Sequence, residues 1–84
     1  MVKKGKKKLA PPNQVRPIRA SEGLMMTGLA KLASVSTKSI SGIETRKRNL
    51  SSVLKHRIVN GFNANPNRKR TYAFRDVFPN DPEE

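Results

Sequence analysis

Apolar residues recur through the middle of this chain at helical spacing and thin out at both ends. Leu29, Ala30, Leu32 and Ala33 share one face, with Met26 one turn earlier, which predicts a helix over residues 26–33. Ile40 and Ile43, three positions apart, form the inward stripe of a following helix over 37–45, with Ser36 as its N-cap. Upstream, Val15 and Ile18 open a shorter helix. Pro17 suits its first turn, where a missing N–H costs nothing, and Gly23 stops it. Ser51 or Ser52 caps a fourth helix that turns Val53, Leu54, Ile58 and Phe62 inward, with Gly61 weakening its end. Tyr72 and Phe74 alternate in an extended stretch over 71–75 whose rings pack on the helices. Asp76-Val77-Phe78 forms a capped helical turn ended by Pro79.

These elements predict an all-α fold, a compact bundle of four to five helices. They divide the chain in three. Residues 1–12 are a low-complexity basic arm ending in Pro11-Pro12, with nothing to bury, and are expected to be disordered. Residues 13–64 carry the apolar periodicity and form the helical domain. Residues 65–84 are a basic loop containing Arg68, Lys69 and Arg70, then a short extended and helical-turn tail with an aromatic and acidic end. At 84 residues the chain suffices for one small domain, in which each buried apolar side chain counts.

Charge narrows the function. The net charge is +12, from 18 basic and 6 acidic residues, and it is uneven. Ahead of Tyr72 the acids are Glu22 and Glu44 alone, so most of the chain carries a positive field with little to quench it. Such a field draws polyanions, nucleic acid above all. No apolar run approaches the ~20 residues of a membrane span, and no secretory leader is read, so no membrane partner is expected. The absence of cysteine excludes disulfides and thiolate metal sites. His56, between Lys55 and Arg57, is expected at the surface. Glu44 is expected to satisfy a helix-end or loop donor near residues 46–48. With no Gly-rich phosphate loop and no metal-ligand spacing, neither enzyme activity nor a cofactor nor a metal is expected.

The stretch from Leu24 to Glu44 resembles the phage-repressor (Cro-type, XRE) helix-turn-helix family. The likeness is carried by Leu29-Ala30, by Ala33, by Val35-Ser36 at the turn, and by Ile40-Ser41 with Ile43-Glu44. It covers roughly residues 13–64, and Asp76-Val77-Phe78-Pro79 resembles tails of some members. The resemblance implies a lambda-repressor-like bundle whose third helix, 37–45, enters the major groove of duplex DNA. It implies base contacts from Thr37, Lys38 and Ser41. It implies phosphate contacts from Ser36, Arg46, Lys47 and Arg48, joined by Lys3, Lys4 and Lys6 of the arm. Three positions depart from the family pattern. Met26 stands where a polar phosphate contact is common, Arg46 where a glycine commonly ends the third helix, and Gly42 where a side chain often reads a base.

The function implied is a sequence-specific transcriptional regulator, a repressor type, acting in the cytoplasm on the nucleoid. A weak homodimer forming on DNA would use Leu50, Tyr72, Phe74 and Phe78. Two alternatives stand beside it. One is the antitoxin of a toxin–antitoxin pair, with residues 72–84 binding the toxin partner. The other is a small basic RNA-binding protein.

Overall fold

The computed structural model describes residues 9–81, and these form five helices with no strand among them. They are α1 (Val15–Ser21), α2 (Met26–Ala33), α3 (Thr37–Glu44), α4 (Ser52–Ala64) and α5 (Phe74–Val77). The all-α expectation holds, in a compact arrangement with α2 at its centre, packed chiefly on α4 and then on α3. No helix among the described residues is long and apolar enough to cross a membrane.

Each helix starts and stops for a local reason. The Asn13 carboxamide accepts the Val15 N–H at 3.1 Å, opening α1, and Pro17 lies in the first turn. Gly23, at φ +68°, closes that helix: its N–H bonds Ala20 O at 3.1 Å while Leu24 N–H reaches Arg19 O at 3.0 Å. The end of α2 repeats this geometry with a serine. Ser34 adopts φ +58°, donates to Lys31 O at 3.3 Å, and lets Val35 N–H reach Ala30 O at 3.0 Å. The Ser36 hydroxyl accepts the Ser39 N–H at 3.0 Å, and Ser51 rather than Ser52 caps α4 through Leu54 N–H at 3.3 Å.

The core is built from Val15, Leu29, Ile40, Ile43, Ile58, Phe62, Val77 and Phe78, all essentially sealed from solvent. Along α4 the inward stripe is Lys55, Ile58, Val59 and Phe62, a spacing of three, four and seven. This corrects the expectation for Val53, which is 63% exposed, and shows why: with Phe62 and Ile58 inward, position 53 falls outside the stripe. Lys55 occupies a stripe position because Asp81 reaches back to pair with it and the Phe78 ring lies 5.5 Å from its ammonium.

Gly61 does not loosen the end of α4 but brings it onto α2. A β-carbon there would lie within 2.9 Å of Ala33 N and Cα, so the two backbones are in direct contact.

Both ends of the described chain are drawn into this core. The expectation that nothing in residues 1–12 is buried fails at Ala10, which is 4% exposed. Its N–H donates to Arg46 O at 2.9 Å and its carbonyl accepts Arg46 Nε at 2.7 Å. Residues 1–8, with Lys3, Lys4 and Lys6, lie outside the described residues. At the other end, Tyr72, Val77 and Phe78 belong to the same buried cluster as the helices. The extended stretch before α5 survives without a partner strand because Asn63 stands in for one. Its carboxamide accepts Tyr72 N–H and donates to Tyr72 O, each at 2.8 Å. The helical turn starts two residues earlier than expected, at Phe74, with Asp76 accepting Ala73 N–H at 2.8 Å. Tyr72 and Phe78, assigned above to a dimer surface, are therefore core residues.

Candidate nucleic-acid interface

Helices α2 and α3 are joined by Ser34, Val35 and Ser36. Leu29, Ala30 and Ala33 on one side and Ile40 and Ile43 on the other are buried, and half-buried Val35 packs on the same cluster. At 100° per residue, fixing Ile40 and Ile43 inward turns positions 38, 41 and 45 outward and puts 37 at the margin of that face, in the first turn of the helix. Thr37, Lys38 and Thr45 are exposed and Ser41 is half-exposed, so the three expected base-contacting residues do share one accessible strip.

Glu44 is the only acid on α3, and it is turned away from that strip. Its carboxylate takes two hydrogen bonds from Arg19, from Nε at 2.6 Å and from Nη2 at 3.1 Å, and its side chain is 4% exposed. The expectation of a partner among residues 46–48 is corrected: the donor comes from α1. This hydrogen bond raises the Arg19 pKa further, so the guanidinium keeps its charge beside the carboxylate. The outward strip of α3 consequently displays hydroxyls and one ammonium, with no negative charge.

The loop after α3 resolves two of the three departures. Arg46 adopts φ +66°, a left-handed conformation that a glycine enters without strain. Its side chain is held to Ala10 and half-buried, whereas Lys47 and Arg48 are exposed. Gly42 is buried rather than open, because the stem of Arg48 crosses it, with Arg48 N–H donating to Gly42 O at 3.2 Å. The third departure, Met26, is 37% exposed beside Met25 at 73%. The Ser36 hydroxyl is already engaged twice with Ser39, through its N–H and its Oγ, each at 3.0 Å.

Every acid among the described residues has a partner. Besides the pair at Glu44, Asp81 meets Lys55, Asp76 meets Arg70 at 3.4 Å, and Glu22 accepts the Tyr72 hydroxyl and the Lys69 N–H at 3.0 Å. The Tyr72 bond, ahead of the Lys69 contacts, holds the Glu22 carboxyl below its ordinary range. Burial and then Glu22 push the Tyr72 phenol above its own. Among the cationic side chains of the described residues only those of Arg19, Lys55 and Arg70 pair with a carboxylate. Exposed Lys31, Lys38, Lys47, Arg48 and Arg57 have none, and Arg57 donates to Ser34 O at 3.3 Å, next to the turn.

His56 keeps the expected surface position but is not free there. It is half-buried, its ring stacked on Phe74 at 4.5 Å, and its Nδ1–H donates to Ser52 O at 2.8 Å. With Ser52, Val53, Arg57 and Asn60 it lines a shallow surface depression. Among the described residues no three His, Asp or Glu side chains converge. The links that sequence reasoning missed are Arg19–Glu44, Arg46–Ala10, Lys55–Asp81 and Arg48 over Gly42. The signals were present only faintly: a lone acid inside a cationic stretch, and a lysine in an apolar stripe.

Comparisons of the chain with protein-family models, with curated proteins and with solved structures found no match in any of the three.

Proposed function

We propose that this chain binds double-stranded DNA by setting the outward strip of α3 into the major groove, as a small sequence-specific regulator. One observation carries the reading: α3 presents Thr37, Lys38 and Ser41 outward while its only acid, Glu44, is folded back onto Arg19. A helix entering the groove is favoured by a slim face that offers hydrogen-bonding groups to the base edges and little negative charge to the flanking phosphates, and this strip has all three. Lys38 is suited to guanine O6 and N7, Thr37 to a thymine methyl or a base edge, and Ser41 to a short polar contact. Lys31 lies in the last turn of α2, Lys47 follows α3 and Arg57 donates to Ser34 O beside the turn; among the described residues none of the three pairs with a carboxylate, and they suit the phosphates. In this reading Arg46 orders the loop through Ala10 rather than leading the phosphate contacts, and Ser36 acts as a cap. The lambda-repressor-like topology and action on the nucleoid belong to the same proposal.

The RNA alternative loses support from the rings. The chain has one Tyr, three Phe and no Trp, and of these Tyr72, Phe62 and Phe78 are buried while Phe74 is half-buried under His56. Unpaired bases would find no open ring to stack on. The antitoxin alternative asks residues 72–84 to bind a partner, yet Tyr72, Val77 and Phe78 are spent on the core.

Selection from a random duplex library at fixed salt tests the proposal. The expected result is an enriched motif, with Lys38→Ala lowering affinity for that motif more than for random duplex. A palindromic motif would indicate two chains per site, with half-sites about one turn apart. Enrichment of no duplex, or equal loss on both duplexes for Lys38→Ala, would overturn it.

A further inference from the structure

We infer that Arg48 reads a base edge from the place that Gly42 leaves vacant on α3. The inference rests on the proposed function of α3 and sharpens which residues confer its choice of sequence. Gly42 follows Lys38 by four positions, so it continues the same strip one turn later. A glycine there would leave a gap in the reading surface, but the gap is filled from outside the helix. A β-carbon at position 42 would lie 2.6 Å from Arg48 Cδ, 2.9 Å from Cγ and 3.0 Å from Cβ. The hydrocarbon stem of Arg48 therefore lies across α3, burying Gly42, while Arg48 as a whole stays exposed.

The consequence concerns the guanidinium. Its carbon is two bonds beyond Cδ, and Cδ sits where the first atom of a side chain at position 42 would begin. The charged group thus starts from α3 itself, one turn after the Lys38 position, rather than from the loop that carries its backbone. Among the described residues no carboxylate pairs with it. Its planar fork can meet guanine O6 and N7 with two parallel hydrogen bonds in one fixed plane, where a lysine such as Lys38 brings a single charged nitrogen and a less exacting geometry. The sparse readout implied by Gly42 is in this way supplemented by a side chain six residues further on.

The test uses the duplex enriched by the full chain and a scrambled duplex of the same composition, with Arg48→Lys, Arg48→Ala and Gly42→Ala. Arg48→Lys is expected to hold affinity for scrambled duplex within about twofold and to lose roughly 10- to 100-fold on the enriched one. Arg48→Ala should lose on both, and more on the enriched. Gly42→Ala gains helix propensity but presses on Arg48 from Cδ back to Cβ, so it should displace that side chain and lose a similar share of the preference, with a thermal melt showing that the chain stays folded. Equal losses on both duplexes for Arg48→Lys, or full preference in Gly42→Ala, would make Arg48 a backbone contact and overturn this inference while leaving the function of α3 standing. A parent chain that enriches no duplex would instead overturn the function, and this inference with it.

Discussion

Arg19 of α1 and Glu44 of α3 are joined by two parallel hydrogen bonds, at 2.6 and 3.1 Å, and Arg19 Nη1 also holds Leu24 O at 3.0 Å. One guanidinium thereby fixes the end of α3, the end of α1 and the chain leading into α2. Replacing Glu44 by Ala leaves Arg19, 16% exposed at its side chain, without its counter-ion. A loss of about 2–3 kcal/mol is expected in urea unfolding, in line with charged hydrogen bonds removed from one side. The same change adds one net positive charge, so non-specific duplex binding by the folded fraction should tighten while stability falls. A variant as stable as the parent would show that the pair does not tie α1 to α3.

The glycines of α2 and α4 should respond in opposite ways to the same methyl group. At Gly61 a β-carbon meets Ala33 backbone at 2.9 Å, and backbone cannot step aside. Gly61→Ala is expected to cost about 1–3 kcal/mol, as overpacked cores do. At Gly28 the nearest atom is Leu24 Cδ2 at 3.8 Å, an ordinary contact. Gly28→Ala should gain up to about 1 kcal/mol from helix propensity alone. Thermal melts of the two variants decide it. Equal shifts would mean that α2 and α4 do not cross at Ala33 and Gly61.

The turn between α2 and α3 was legible because its determinants are local. Small Ala30 and Ala33, the Ser36 cap and the pair Ile40 and Ile43 act within one or two turns of each other, and the structure places them as their spacing implies. The rest depended on partners far along the chain. Val53 is the exception: it lies five residues before Ile58 and nine before Phe62, outside the stripe those two define, whereas Leu54 lies four before Ile58 and inside it. Lys55 is tolerable in the stripe only because Asp81, 26 residues later, closes over it. Glu44 found Arg19 at a separation of 25, and Arg46 found Ala10 at 36. The outward strip at Thr37, Lys38 and Ser41 was readable. That Arg48 fills the space at Gly42 was not, since it depends on how the following loop folds back.

Acid and base should erode one contact at opposite ends of the pH scale. Glu22 is held below its ordinary value of 4.5 by the Tyr72 hydroxyl first. Its stabilisation is therefore complete above that value and is lost as pH falls through the lower, folded value. Tyr72 is raised above 10.0 by burial and by Glu22, so its stabilisation is complete below that value and is lost as pH rises through the higher, folded one. Glu22→Gln removes the charged acceptor. The gap in stability between the parent and this variant should be widest between about pH 5 and 10 and shrink on both sides. A gap independent of pH in chemical unfolding would mean that the phenol and the carboxylate do not meet.

Among the described residues two that are not glycine occupy the left-handed region, and they should differ because only one has a use for its side chain. Ser34, at φ +58°, is exposed, and its contribution to the turn is through backbone groups alone. Ser34→Gly relieves the strain without breaking a bond and is expected to stabilise by about 0.5–1 kcal/mol. Arg46, at φ +66°, carries the same strain but also donates Nε to Ala10 O at 2.7 Å. Arg46→Gly trades the strain for that bond and should be near neutral, whereas Arg46→Ala keeps the strain, loses the bond, and should fall by about 1–2 kcal/mol. Amide exchange separates the two contributions. The Ala10 N–H bonds the Arg46 carbonyl, which all variants retain, so its protection reports whether the N-terminal segment stays seated. Protection should drop in both Arg46 variants, including the one whose overall stability is unchanged. Undiminished protection in Arg46→Gly would show that the backbone bond seats Ala10 by itself and that the guanidinium is dispensable there.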